Sequence, residues 1–220
     1  MLRWYSREHL LKNKNHFNFF MTTDLTTSEK QAADFAVGTI WAINNNGDWF
    51  WVDGFRERQT LDKSIDAMFG LISVYRPMLT GIEVSGQQGG FIPYLQAEMM
   101  TRNIFFSLAT HGNAMAPGIR PDASKLVRFN LALPLFTKGK IFWPEEARNT
   151  KIIQAFVDEI TNVTPLGFKT KNDDCADNVS MLPLLGAWTP GEPAPMVQKD
   201  GVWQTDEAEE EAGGMDSYVV

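Results

Sequence analysis

The chain has 220 residues, which suits one compact α/β domain with a tail and is ample for a hydrophobic core. Its single cysteine, Cys175, excludes a disulfide framework and fits a reducing compartment, and we expect it to be a small buried residue. No apolar run reaches membrane-spanning length and the N-terminus is too charged for a signal peptide, so we expect a soluble intracellular protein. The net charge of -7 does not exclude a nucleic-acid substrate, because residues 206–220 alone contribute six negative charges.

The first half of the chain predicts three strands followed by alternating helices and strands. A hydrophobic run over 16–24 predicts the first strand, and an Asn-Gly turn within 34–60 predicts a hairpin of two more. Apolar residues at helical spacing predict a helix that begins at Leu61 and ends before Pro77. A short strand over 78–86, a helix over 91–103 and a strand over 104–110 are then predicted; a Gly/Pro-rich loop follows.

The second half is mostly helical. Residues 123–139 predict a helix that Pro134 interrupts, and residues 140–144 predict a short strand. Residues 149–163 predict an amphipathic helix, and residues 172–185 begin like a capped one. A hairpin followed by helical crossovers predicts a mixed central sheet flanked by helices, in which ligands bind at the strand ends.

Carboxylates occur where such a sheet would place a site. Asp24 ends the first predicted strand, Glu83 ends the fourth, and the helix start at 172 carries Asp173, Asp174 and Asp177. A turn explains Asp24 equally simply, and helix capping accounts for one or two of the later aspartates but less easily for Asp177. Converging carboxylates are relieved by Mg²⁺ or Mn²⁺, and a pair of such ions cleaves phosphodiesters. The ordered set therefore predicts a ribonuclease-H-like nuclease core.

Four segments, spread over about residues 17–185, carry a resemblance to a known family. They are FFMTTDLTTSEKQAADF, TGIEVSGQQGGF, SKLVRFNLALPLFTKGKIFWP and NDDCADNVSML. Together they resemble the C-terminal nuclease domain of the large terminase subunit of tailed bacteriophages. Asp34, in the first segment, matches a family position, and we interpret it as ordering a loop.

The resemblance implies a metal-dependent endonuclease that cuts concatemeric viral DNA during genome packaging. Asp24, Glu83 and Asp174 would form the catalytic triad and hold two Mg²⁺ or Mn²⁺ ions. Asp177 would be a fourth ligand or would support one, and Asp173 competes with Asp174 for its role.

A basic stretch supplies the predicted DNA contacts. Residues 120–151 carry a surplus of four positive charges, and we predict phosphate contacts from Lys125, Arg128, Lys138 and Lys140. A solvated helix face explains Lys125 and Arg128 equally well.

The family carries an ATPase domain, but no G-x-x-x-x-G-K-[ST] loop occurs here. We therefore predict that residues 1–16 are an extension or a linker to an ATPase domain, on this or another chain. Residues 17–188 would be the nuclease domain and 189–220 a Pro-rich, then acidic, disordered tail. The implied partners are double-stranded DNA, the ATPase, the portal and the small terminase subunit, in the host cytoplasm and transiently at the procapsid portal. Two alternatives stay open: a Holliday-junction resolvase of the same fold, and an inactive module that docks portal or motor proteins.

Overall fold

The computed structural model describes residues 2–25, 35–84, 91–114, 116–120, 123–164, 167–191, 197–199 and 202–204. The chain divides into two compact units, residues 1–190 and 191–220. The predicted role of Asp34 and the predicted disorder of 206–220 concern residues outside this described part of the chain, which includes only residues 189–191, 197–199 and 202–204 of the predicted tail 189–220.

The strands of the larger unit are β1 (Arg3–Tyr5), β2 (Asn18–Asp24), β3 (Ala36–Ile43), β4 (Trp49–Glu57), β5 (Leu79–Ile82), β6 (Thr110–His111), β7 (Gly118–Ile119), β8 (Ile141–Pro144), β9 (Val163–Thr164) and β10 (Gly167–Phe168). Its α-helices are α1 (Arg7–Lys12), α2 (Leu61–Tyr75), α3 (Phe91–Arg102), α4 (Lys125–Thr137), α5 (Lys151–Thr161) and α6 (Asp174–Ser180). The smaller unit contains β11 (Val197–Lys199) and β12 (Val202–Gln204), which pair antiparallel. Among the described helices, none has both the length and the apolar character that crossing a membrane requires.

The central sheet has six strands in the order β1-β8-β4-β3-β2-β5. Strands β2, β3 and β4 form an antiparallel meander, and β3 and β4 are joined at the predicted Asn-Gly turn. β5 pairs parallel with β2, β8 parallel with β4, and β1 parallel with β8. The prediction of a mixed sheet is confirmed.

Each face of this sheet carries its own hydrophobic core, because successive strand residues point to opposite sides. Phe20 and Trp41 lie in a core that α4, α5 and α6 cover. Their neighbours Met21 and Ile40 lie in a second core that α1, α2 and α3 cover. All four side chains are fully buried, so the alternation fixes the register of β2 and β3.

Three details differ from the sequence-based expectations. Helix α4 continues through Pro134 and ends at Thr137, because Pro134 lies in the last turn and costs only one main-chain hydrogen bond. The strand predicted over 104–110 is not a strand of the central sheet. Thr80 donates its main-chain N–H to the carbonyl of Ser107 and its carbonyl accepts from the N–H of Ala109, which makes an isolated bridge, and β6 begins at 110. Residues 3–5 form an edge strand of the sheet, which we did not predict from the sequence.

A buried polar network fixes α6 on the meander. The side-chain oxygen of Asn178 accepts hydrogen bonds from the hydroxyls of Thr22 (2.8 Å) and Thr39 (2.6 Å). Its amide nitrogen donates to the main-chain carbonyl of Thr22 (3.0 Å), and the Trp41 indole donates to Thr39 (2.8 Å). All these side chains are fully buried, so the network is satisfied only in this register of helix against sheet.

Asn178→Ala should therefore lower the free energy of unfolding by about 2–4 kcal/mol, since buried hydroxyls and a carbonyl lose their partner. Urea titration of the metal-free protein measures this. The exposed turn variant Asn45→Ala should change stability by less than about 0.5 kcal/mol. Equal stability of the two variants would contradict the assigned role of the network.

Candidate active site

Asp24 and Glu83 end adjacent strands on the same face of the sheet. The parallel pairing of β2 with β5 matches Phe20 with Leu79 and Thr23 with Ile82, so Asp24 and Glu83 follow at the next position of the same register. Asp24 shares its side of β2 with Phe20 and Thr22, which face α6. The two carboxylates predicted from strand ends therefore come together beneath α6.

Helix α6 brings the third group of carboxylates to this edge. The side chain of Asp173, at the N-cap position, makes no capping hydrogen bond. Glu159 of α5 caps the helix instead, with Oε2 accepting the main-chain N–H of Cys175 (2.6 Å) and of Ala176 (3.2 Å). Helix capping by its side chain therefore does not explain why an aspartate occupies position 173. Asp177, one turn into the helix, is 2% exposed.

Two basic residues of α4 contact these carboxylates. Arg128 donates from Nη1 to Glu83 Oε2 (2.9 Å) and from Nη2 to Asp177 Oδ1 (2.6 Å). Lys125, one turn earlier, lies 3.2 Å from Asp177 Oδ2 and 3.1 Å from Asp173 Oδ1. Burial lowers the pKa of Lys125, but Asp177 and Asp173 outweigh burial and raise that pKa above its usual range.

The electrostatics show which carboxylates converge on Asp24. The pKa of Asp24 is raised to about 7, first by burial and then by the negative charges of Asp177 and Glu83, with a smaller contribution from Asp174. Asp177 is therefore a stronger electrostatic neighbour of Asp24 than Asp174 is.

Asp174 faces a different arginine. Its Oδ2 lies 4.0 Å from Nη2 of Arg56, the same nitrogen that donates to Glu159 at 3.0 Å. Arg56 also stacks over the ring of Phe35, 3.5 Å from the centroid. Asp174 is 2% exposed, so its carboxylate is buried beside Arg56.

The structure places the predicted site residues in different surroundings. Arg128 was predicted to contact DNA from an exposed helix face; it is 3% exposed and ion-paired, so the assumed exposure is wrong. Lys138 is exposed at the end of α4. Lys140 bonds to Asp48 (2.8 Å) and to the carbonyl of Asn46, and so supports the β3–β4 turn. Cys175 is fully buried, as predicted.

Sequence reasoning missed three supporting residues, Arg56, Glu159 and Asn178. Glu159 occupies a core-facing position of an amphipathic helix that also buries Ile153 and Phe156. A charged residue on an apolar face was the signal that could have identified it, because a buried carboxylate needs partners. Neither Arg56 nor Asn178 carries a comparable local signal.

The donor chemistry of the site fits a hard divalent cation. Asp24, Glu83 and Asp177 offer only carboxylate oxygens, which Mg²⁺ and Mn²⁺ prefer. In the described part of the chain, no three acidic, histidine or cysteine side chains already surround one point as ligands. Arg128 and Lys125 contact oxygens of Glu83 and Asp177 that a metal ion would use.

The profile of the terminase RNaseH-like domain family matches residues 21–183, a range that contains every carboxylate of this site. The chain belongs to that family. The predicted ribonuclease-H-like fold and the resemblance to terminase nuclease domains are thereby confirmed.

Solved structures with the terminase fold are also similar to this family member. The human cytomegalovirus terminase nuclease domain, manganese-soaked and inhibitor-bound, superposes with a TM-score of 0.56 at 13% identity, covering 82% of this chain and 88% of that one. The large terminase nuclease of thermophilic phage G20c with bound zinc has a TM-score of 0.48 at 16% identity, covering 75% and 79%. The fowlpox virus Holliday junction resolvase reaches only 0.38 at 11% identity, covering 76% and 94%. No significant match was found among curated protein sequences.

The raised pKa of Asp24 predicts how Asp24→Asn affects stability without metal. The pKa of this carboxyl rises from 3.8 in the unfolded chain to about 7 in the folded protein. Its ionisation therefore does not lower the free energy of unfolding below pH 3.8, and lowers that free energy by the full amount above pH 7. Asp24→Asn should therefore be stabilising in EDTA at pH 8, by up to about 4 kcal/mol, with the gain shrinking towards pH 4.

Urea unfolding of both proteins between pH 4 and 9 measures this difference. The exposed Asp66, ion-paired with Arg102, offers the control Asp66→Asn, which should show no such gain at pH 8. A pH-independent difference for Asp24→Asn would mean that folding does not raise the pKa of Asp24.

Proposed function

We propose that this terminase-family domain is a metal-dependent endonuclease that hydrolyses duplex DNA. One observation carries the proposal: Asp24 is buried at a strand end with Asp177 and Glu83 as neighbours, and burial first and their negative charges second raise its pKa to about 7. Placing several negative charges together at a buried strand end is unfavourable unless a cation binds between them. Turn formation and helix capping give no reason for it.

We assign the metal to Asp24, Glu83 and Asp177, as Mg²⁺ or Mn²⁺ and, following the family resemblance, as two ions. The manganese-soaked terminase nuclease domain that shares this fold supports a divalent ion. When bound, such ions supply an activated water and stabilise the negative charge that develops on the phosphate. Asp174 is assigned a supporting role, because its side chain faces Arg56.

The chain's own residues hold and balance this site. The Asn178 network fixes α6, so that Asp177 stays opposite the end of β2. Glu159 caps the same helix and binds Arg56, which keeps a counter-charge near Asp174. Lys125 is 42% exposed and lies beside Asp177, where its ammonium group can approach a DNA phosphate. These hydrogen bonds and ion pairs hold the groups of the site in fixed positions, which favours electrostatic preorganisation.

The substrate we propose is concatemeric viral DNA, cut during packaging. Membership in the terminase family supports this substrate, and with it an ATPase domain, the portal and the small terminase subunit as partners. Sequence preference should be weak, because the basic residues near the site offer phosphate contacts and no base-reading element. The ordered, convergent carboxylates argue against an inactive docking module.

The first test is plasmid cleavage with Mn²⁺, with and without EDTA. Asp24→Asn, Glu83→Gln and Asp177→Asn should each lower cleavage by about 10²-fold or more, since each removes a ligand charge. Asp174→Asn should lose less, because Asp174 is turned towards Arg56. The Asp66→Asn control should cleave normally.

Several outcomes would contradict these assignments. Full cleavage activity of Asp24→Asn would contradict the proposed mechanism. A larger loss of cleavage for Asp174→Asn than for Asp177→Asn would mean that Asp174, and not Asp177, is the metal ligand. A strong preference for a four-way junction over linear duplex would favour the resolvase alternative.

A second test concerns DNA contacts by exposed lysines. Lys138→Ala should weaken duplex binding regardless of sequence and reduce the slope of log affinity against log salt by about one unit. Lys63→Ala is the matched control, because Lys63 is exposed on α2, on the opposite face of the sheet. Fluorescence anisotropy at several salt concentrations gives both slopes, and equal slopes for the two variants would exclude Lys138 from the DNA interface.

A further inference from the structure

Arg128 makes contacts that a DNA-binding surface residue does not need. Its guanidinium lies 2.9 Å from Glu83 and 2.6 Å from Asp177, two of the ligands assigned above. The side chain is 4% exposed, so the pairs are shielded from solvent. Arginine is suited to this position because its planar fork engages two acceptors at once and stays charged.

We propose that Arg128 is a built-in cation that holds Glu83 and Asp177 together without metal, and that metal binding releases its guanidinium towards a DNA phosphate. The inference rests on the proposed function, since it takes Glu83 and Asp177 as metal ligands. Arg128 is then a positioning residue for the metal site in the metal-free state and a phosphate ligand in the metal-bound state.

Competition for oxygens carries the first half of this proposal. Glu83 Oε2 and Asp177 Oδ1 each accept a charge-assisted hydrogen bond from Arg128. A divalent ion bound to the same oxygens would repel the guanidinium and displace its N–H groups. Metal binding and the Arg128 bridge therefore compete for these two atoms.

An unsatisfied donor carries the second half. Nε of Arg128 is buried and has no hydrogen-bond partner among the described residues. Buried donors without partners are uncommon, so the ion-paired state leaves part of the guanidinium unused. A phosphate can accept two N–H groups of a guanidinium side by side, which gives the released group a partner of matching geometry.

The position of Arg128 in α4 keeps the released group close to the reaction. Lys125 lies one turn earlier on the same helix, is 42% exposed, and marks where the cluster opens to solvent. A guanidinium leaving Glu83 and Asp177 stays tethered beside that opening. By linkage, if metal binding frees Arg128 for phosphate, DNA binding must strengthen metal binding by the same factor.

Chemical labelling of the unaltered protein tests the release directly. Phenylglyoxal modifies accessible guanidinium groups, and mass spectrometry of peptides reports the modification at each arginine. Arg128 should be protected in EDTA and become labelled with saturating Mg²⁺. Arg102, which pairs with Asp66 and Glu98 away from the site, should be labelled equally under both conditions. Protection of Arg128 that Mg²⁺ leaves unchanged would overturn the proposal.

Arg128→Gln tests the competition. Calorimetry should show Mn²⁺ bound about tenfold more tightly than by the unaltered protein, a typical coupling magnitude. In EDTA the variant should unfold at a lower temperature than the unaltered protein, and saturating Mn²⁺ should reduce this difference in unfolding temperature. Arg102→Gln, the matched control, should leave Mn²⁺ affinity unchanged. Weaker or equal Mn²⁺ binding by Arg128→Gln would overturn the proposal; if the variant does not fold in EDTA, the labelling experiment decides alone.

The phosphate contact has its own measurement. With Ca²⁺ as the divalent ion, the salt dependence of duplex binding should be steeper than in EDTA by about one unit of slope, and Arg128→Gln should abolish this difference. Equal slopes in the unaltered protein would overturn the release of Arg128 to phosphate. Failure of the proposed function is distinguishable, because a protein that binds no Mn²⁺ in calorimetry has no metal site for Arg128 to regulate.

Discussion

The balance of charge at the end of β2 and β5 is the interaction on which the rest of this structure depends. Three carboxylates, Asp24, Glu83 and Asp177, lie together where burial makes their mutual repulsion costly. The protein offsets that repulsion with the guanidinium of Arg128 and the ammonium of Lys125. Both come from one helix, α4, so its docking is tied to the state of the carboxylates.

Rigid surroundings keep the acidic groups in place despite this repulsion. Asn178 binds α6 to the meander through Thr22 and Thr39, and Glu159 caps the same helix from α5. These contacts do not involve the carboxylates that face Asp24. In the exchange of cations that we propose, the sheet and α6 would therefore keep their positions, which is what preorganisation for catalysis requires.

A second arginine repeats the arrangement deeper in the protein, with a different outcome. Arg56 lies between Glu159 and Asp174 and stacks on Phe35, so its guanidinium is held on several sides. Arg128 instead pairs with Glu83 and Asp177, two of the proposed metal ligands, and both arginines leave Nε without a hydrogen-bond partner among the described residues. In our proposal, Arg56 is therefore a structural counter-charge beside Asp174, whereas Arg128 is an exchangeable one beside Asp177.

Much of the fold and part of the site were predictable from sequence, because those features depend on local patterns. Alternation along β2 and the Asn-Gly turn predicted the meander, and strand ends predicted Asp24 and Glu83 as neighbours. Only the tertiary structure decided which cation meets which carboxylate. Arg128 has the sequence signature of a helix surface, yet it is buried because α4 packs beside α6 and the carboxylates there need a counter-charge. Distances between elements far apart in the chain set that pairing, and no local pattern encodes them.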